Sequence, residues 1–190
     1  RKLELIDLDT GSVITSFTNT DSAFGSTVGQ AQATKTSPQG IDSSGNAYIW
    51  QDFDNRLYLC PYNGATPTYI SPATSAMRDG IEFQGSDIWS VGLDINGFKQ
   101  FYKNTLINWT THAVTQTKVT GLVANPGFAN LLFNPSGIPG RVYAISSGDG
   151  ISWANTSTLV GTHIINGPLE TRALVGDDGN IYCSYTGTLY

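Results

Sequence analysis

Gly40-Ile41-Asp42-Ser43-Ser44-Gly45, leading into AYIWQDFDNRLYLCPYNG, has a counterpart in Gly80-Ile81-Glu82-Phe83-Gln84-Gly85, leading into DIWSVGLDINGFKQFYKN. A third copy reads LLFNPSGIPG and then RVYAISSGDGISWANTS. A fourth reads ALVGDDG and then NIYCSYTGTLY. Each copy has one grammar: an apolar strand, a Gly-rich turn, an aromatic strand, an Asp/Asn/Gly turn and a further strand. A unit of about 40 residues with three or four short strands matches one blade of a β-propeller. A meander of that size cannot bury both its faces alone. Stacking copies around an axis buries them and leaves only short edges.

No segment carries a sustained helical apolar period. Runs of Val, Ile, Tyr, Phe and Trp broken by Gly, Asn, Asp and Pro predict short antiparallel strands and almost no helix. Strands are expected at 2–7, 12–17, 46–51, 56–60, 67–71, 87–92, 98–102, 105–109, 141–146, 158–165, 172–175 and 180–185. The fourth copy lacks its outer part, and KLELIDLDTGSVITSF has no inner part before it. Residues 1–20 and 172–190 are therefore expected to complete one blade together. The expected fold is all-β, one domain over 1–190, a propeller-like ring of four blades closed by N- and C-terminal strands. The alternative is a five-bladed ring or a truncated larger one, with residues 21–37 as a degenerate copy. Closure requires Lys2–Leu8 to pair with Asn180–Tyr185.

A length of 190 residues suits one domain able to bury a core without disulfide staples. Only 13% of residues are charged, about half the usual share, and the net charge is −5. With no Lys/Arg cluster to neutralise phosphates, nucleic acid is not an expected partner. No apolar run reaches membrane-spanning length, so no membrane insertion is expected. The chain starts at Arg1, which leaves room for a removed leader or upstream domain. Cys60 and Cys183 form no CxxC; they are either one disulfide or two buried thiols. Asn108-Trp109-Thr110 and Asn155-Thr156-Ser157 fit the N-glycosylation pattern, consistent with secretion.

LIDLDTGSVITSF, residues 5 to 17, contains one Asp-Thr-Gly, the motif of an aspartic protease loop. Such an enzyme needs two facing loops whose carboxylates share a proton. One loop, followed by repeats the protease has no use for, favours a hairpin corner at Asp9-Thr10-Gly11.

Trp50, Tyr58, Trp89, Tyr102, Trp109, Tyr143 and Trp153 fall at comparable repeat positions, near Gln51, Asp52, Gln100, Asn108, Asn155 and Arg141. Aromatic rings can stack on the apolar face of a sugar, and polar neighbours can meet its hydroxyls. The competing role is packing blade against blade, where large rings dominate. Trp109 and Trp153, flanked by Asn, Thr and Ser, are the two expected to be exposed. Trp50-Gln51-Asp52-Phe53-Asp54-Asn55-Arg56-Leu57 with Tyr62-Asn63-Gly64 resembles blades of the fungal fucose-specific lectin family. Asp94-Ile95-Asn96-Gly97-Phe98 with Leu106-Ile107-Asn108-Trp109, and Arg141-Val142-Tyr143 with Asp149-Gly150-Ile151, extend the likeness over about 120 residues. The resemblance implies a propeller that grips sugar hydroxyls with an Arg and a Glu and lays an aromatic ring against the sugar. Only Arg141 matches the Arg position. The Glu position falls on Leu59 in the first repeat and near Trp153 in the third, so fucose specificity does not carry over.

Other chemistry is thinner. Ser147-Gly148-Asp149-Gly150-Ile151-Ser152-Trp153 approaches the Asp-box turn of sialidases, but five arginines, Arg1, Arg56, Arg78, Arg141 and Arg172, do not make their carboxylate-binding cluster. Glu82, Asp94, Glu170 and Asp177 show no spacing that marks a glycosidase pair. His112 and His163 fit no metal motif. Asp177-Asp178-Gly179-Asn180 reads as a hairpin turn before a Ca²⁺ loop. The expectation is a non-enzymatic lectin-type module without cofactor or metal, secreted, extracellular or on a virion surface. Its partners are glycans or glycoproteins, with homo-oligomers as one source of avidity. Ligand contacts are expected from Trp50, Gln51, Trp89, Asn108, Trp109, Arg141, Tyr143 and Trp153. The alternatives are a structural or adhesion domain of a viral or cell-surface assembly and, third, a secreted hydrolase.

Overall fold

The computed structural model describes residues 2–18, 38–51, 56–72, 81–94, 96, 98–122, 129–133, 140–146, 150–165, 173–175, 178, 180–185 and 188–189. Among them there is no helix. The strands form a hairpin, three four-stranded meanders and a three-stranded sheet, with spatial order following chain order in each. The hairpin is β1 (Lys2–Ile6) and β2 (Val13–Thr18). The first meander is β3 (Pro38–Ile41), β4 (Ala47–Gln51), β5 (Arg56–Cys60) and β6 (Thr68–Ile70). The second is β7 (Ile81–Gln84), β8 (Asp87–Leu93), β9 (Lys99–Asn108) and β10 (Ala113–Lys118). The third is β11 (Ala129–Phe133), β12 (Arg141–Ser146), β13 (Gly150–Asn155) and β14 (Gly161–Ile165). Last come β15 (Ala173–Val175), β16 (Ile181–Tyr185) and β17 (Thr188–Leu189). The three middle sheets are the three full copies of the repeat. Residues 21–37, the candidate degenerate copy, lie outside the described residues.

The terminal strands do not pair as closure required. β1 pairs with β2, Lys2 opposite Thr18 through Ile6 opposite Val13. β16 pairs with β15 along Ile181–Cys183 and with β17 at Ser184 and Tyr185. Among the described residues these are separate sheets. The reason is local: a tight turn folds β1 straight back onto β2, and β16 finds partners within its own copy.

Where the sequence suggests one domain, the chain groups into two compact units. One holds Arg1–Pro72 with Ile107–Val114, and the other holds Ala73–Leu106 with Thr115–Tyr190. In the first, Leu57, Tyr58, Cys60 and Ile70 are buried. In the second, alternation decides what is inside, because successive strand residues face opposite ways. Trp89 and Val91 of β8, Phe101 of β9, Val142 and Ala144 of β12 and Ala154 of β13 form the core with Val119. Leu122 and Leu159 pack against it. Gly161 sits so close to Leu122 that a Cβ there would collide with its side chain. That approach lets Gly161 donate to the Thr120 carbonyl at 2.7 Å and seal the core edge.

Two turn designs recur. Asp7 Oδ1 accepts the N–H groups of Asp9 and Thr10 at 2.9 Å each, and Gly11 follows with φ +69°. Asp9-Thr10-Gly11 is thus a hairpin corner, fastened by Asp7 rather than by Asp9. Asn108 Oδ1 does the same for Thr110 and Thr111, and Asn155 Oδ1 for Ser157 and Thr158. The residues that end these loops, His112 and Leu159, have φ of 60° and 56°. In the second design a carboxylate clamps the start of the next strand. Asp42 takes the N–H groups of Ser44 and Asn46 on Oδ1 and the Asn46 amide and Tyr48 hydroxyl on Oδ2. Asp178 holds the Asn180 amide and Tyr182 hydroxyl on Oδ2, both at 2.7 Å. Asp94 holds Asn96, Phe98 and Gln100.

Candidate functional site

The register of the third meander gathers the candidates. Tyr143 stands opposite Trp153 and Arg141 opposite Asn155 across β12 and β13, and Thr162 of β14 stands opposite Trp153. By the two-residue period these five share one face, and Val142, Ala144 and Ala154 occupy the core face behind it. Arg141 holds its guanidinium carbon 4.1 Å from the centre of the Trp153 ring, a cation–π contact. Its Nη1 donates to the Tyr143 hydroxyl at 3.5 Å. Tyr143, expected as a ligand contact, is 3% exposed and so a buried support rather than a contact, whereas Arg141, Trp153 and Asn155 are half-buried and Thr162 is exposed. Lys103 pairs with Asp87 at 2.9 Å and Lys118 with Asp94 at 4.0 Å, and neither pair engages Arg141. The face thus offers an aromatic plane, a guanidinium with donors to spare, and the Thr162 hydroxyl. That combination suits a ligand with an apolar face and a hydroxyl rim.

Trp109 and Asn108 lie at the β9–β10 tip, in the first unit. The Trp109 ring is half-buried and tilted 56° against Tyr48, with centroids 5.9 Å apart, and its carbonyl accepts from the Thr68 hydroxyl at 2.9 Å. Asn108 is exposed, with its carbonyl oxygen committed to the turn. Trp89 corrects the expectation of a ligand contact. It is 0% exposed and packs 5.6 Å from Phe101, so it is core. Among the described residues its Nε1 is the buried polar side-chain atom without a partner. Trp50 and Gln51 run in β4, and their side chains lie outside what is described.

One further grouping has no signature in the sequence. Tyr69 stacks on His112 with centroids 3.9 Å apart and planes 4° apart, and the Arg56 guanidinium carbon lies 4.4 Å from the Tyr69 ring centre. Two groups that near one ring centre cannot share a face, so the phenol is sandwiched. His112 Nδ1 also meets the Tyr69 carbonyl at 2.9 Å. Residues 56, 69 and 112 follow no spacing rule; only the fold of the β9–β10 tip joins them.

Asp7, Asp42, Asp94 and Asp178 serve turns, whereas Asp87 pairs with Lys103 and Glu4 and Glu82 lie within strands. Burial alone would raise the Asp42 carboxyl, but donors from the Asn46 side chain, the backbones of Asn46 and Ser44, and Tyr48 hold it below the usual range. Backbone donors from Thr10 and Asp9 lower Asp7, and the Asn180 backbone followed by Tyr182 lowers Asp178. Burial, and then Asp42, raises the Tyr48 phenol. Ser152 Oγ and His163 Nδ1 lie 2.8 Å apart across β13 and β14, with the serine buried in the sheet. Among the described residues no three His, Cys, Asp or Glu side chains group as metal ligands, and no helix is long and apolar enough to cross a membrane. Cys60 is a buried free thiol, which settles its state against a disulfide, and burial pushes its pKa up to about 12.

No family model and no curated protein matches the chain. Its fold is similar to that in the crystal structure of a structural genomics protein of unknown function from Bacteroides thetaiotaomicron VPI-5482. The TM-score is 0.54 at 18% identity, over 81% of this chain and 40% of that one. The chain therefore spans less than half that protein's length, and the likeness bears on fold alone.

Proposed function

We propose that this chain is a non-catalytic carbohydrate-binding module, secreted or displayed on a surface, whose ligand face is Arg141, Trp153 and Thr162, with buried Tyr143 supporting Arg141 from beneath. The carrying observation is the Arg141 guanidinium 4.1 Å above a half-buried Trp153, on the sheet face turned away from the core. A sugar would lay its C–H face on the side of the indole that Arg141 leaves free and take hydroxyl contacts from Thr162 and the edge of the guanidinium. We read the successive meanders as blades of a propeller-like ring, on the strength of the recurring turns and chain-order sheets. Each such site is shallow, so useful affinity would come from several sites acting together. A glycan array tests this. Wild type should bind a defined set of glycans, and Trp153→Ala or Arg141→Ala should weaken binding at least tenfold. No bound glycan, or binding unchanged in both variants, overturns the reading.

A second reading, an adhesion or structural domain of a larger assembly, is favoured by the β1–β2 hairpin. Ile6, Leu8, Val13 and Ile14 are all exposed there, Leu8 at 96%. Clustered exposed apolar side chains mark interaction surfaces. An obligate oligomer by solution mass that dissociates in Leu8→Asp would favour this reading, and a monomer would oppose it.

A further inference from the structure

Two hairpin tips share one turn and one unspent atom. Asn108 Oδ1 accepts from Thr110 at 3.0 Å and Thr111 at 2.9 Å. Asn155 Oδ1 accepts from Ser157 and Thr158, both at 2.9 Å. In each case the oxygen fixes the carboxamide, and the Nδ2 amide makes no hydrogen bond to a described residue. Asn108, Thr110 and Thr111 are exposed; Asn155 is half-buried beside exposed Ser157 and Thr158. These are also the chain's Asn-x-Ser/Thr triplets without a middle proline, Asn134-Pro135-Ser136 being barred by Pro135. The third loop of this design carries Asp7 in the same place and has no amide to offer.

We propose that Asn108 and Asn155 are acceptors for N-linked glycans. The donor is a lipid-pyrophosphate-linked oligosaccharide. The asparagine Nδ2 bonds to the anomeric carbon as that carbon's bond to the pyrophosphate oxygen breaks. The lipid pyrophosphate leaves with the electron pair, and Nδ2 gives up one proton to base. The folded chain tolerates the product, because Asn108 and Asn155 are the last residues of β9 and β13, where each strand runs into its exposed turn, and the turn is held by the oxygen.

The test secretes the full chain from a eukaryotic host and measures intact mass before and after an amidase that releases the glycan and leaves Asp. Wild type should carry two glycans, and Thr110→Ala and Ser157→Ala should carry one each, with none on the double variant. Both variants keep the asparagine and its bonds to main-chain N–H groups, so the turns persist. Each released site should gain about 1 Da. An unmodified wild-type chain, or glycan mass unmoved by the two variants, overturns the proposal. Modification at one tip only overturns the assignment of the other.

Discussion

Trp89 and Trp153 come from comparable places in the repeat and end in opposite environments. What separates them is packing rather than parity: Trp89 shares its face of β8 with Asp87 and Val91, and Trp153 its face of β13 with Ile151 and Asn155, but Trp89 packs on Phe101 in the core while Trp153 lies under Arg141. Trp89→Ala should cost about 3–5 kcal/mol in denaturant unfolding, as a large buried ring does. Trp153→Ala should cost far less stability while weakening glycan binding at least tenfold, and equal losses of stability would contradict the assignment. Cys60 is 1% exposed. It should resist thiol reagents in the folded protein and react on unfolding, and rapid native labelling would count against its burial. Leu106 is 82% exposed at φ 50°, where a side chain gains nothing from packing and suffers in a left-handed backbone. Leu106→Asn should be neutral or gain about 0.5–1 kcal/mol in thermal unfolding, against the usual sign for a substitution.

At the scale of the element, the carboxylate clamps set a pH window. Asp42 is held below its ordinary value, so its contribution is present above the unfolded pKa of about 3.8 and is lost as pH falls through the folded value. Tyr48 is raised, so its contribution is present below pH 10 and fades above it. Asp42→Asn should lose about 1–3 kcal/mol near neutrality and show a flatter stability profile below pH 4. A profile parallel to wild type through that range would rule the clamp out as its source. The same scale shows why some strands were illegible. β10 was missed because AVTQTK carries few apolar residues; Val114 and Gln116 turn partly inward while Ala113, Thr115 and Thr117 face out. β9 was expected as two strands because Lys103-Asn104 reads as a break. Asn104 is instead fully buried, giving its amide to the Ile88 carbonyl and Ser90 hydroxyl and accepting from Gln116. A polar residue in mid-strand looks like a turn until its partners are known.

For the whole molecule, the repeat period alone marked out the three meanders, since each copy holds its own turns and its own ladder. The β1–β2 pairing follows from the hairpin corner at Asp9-Thr10-Gly11, but the expected pairing of β1 with β16 does not form among the described residues, since β16 finds its partners within its own copy. The Arg141–Trp153 face was half legible: both residues were singled out, but their meeting depends on the β12–β13 register. The central claim is that this face receives a sugar. The most direct measurement follows the indole N–H resonances of the tryptophans while array-identified glycans are titrated. The account predicts that Trp153 shifts saturably and Trp89 does not move. A silent Trp153 in the presence of a bound glycan would contradict it.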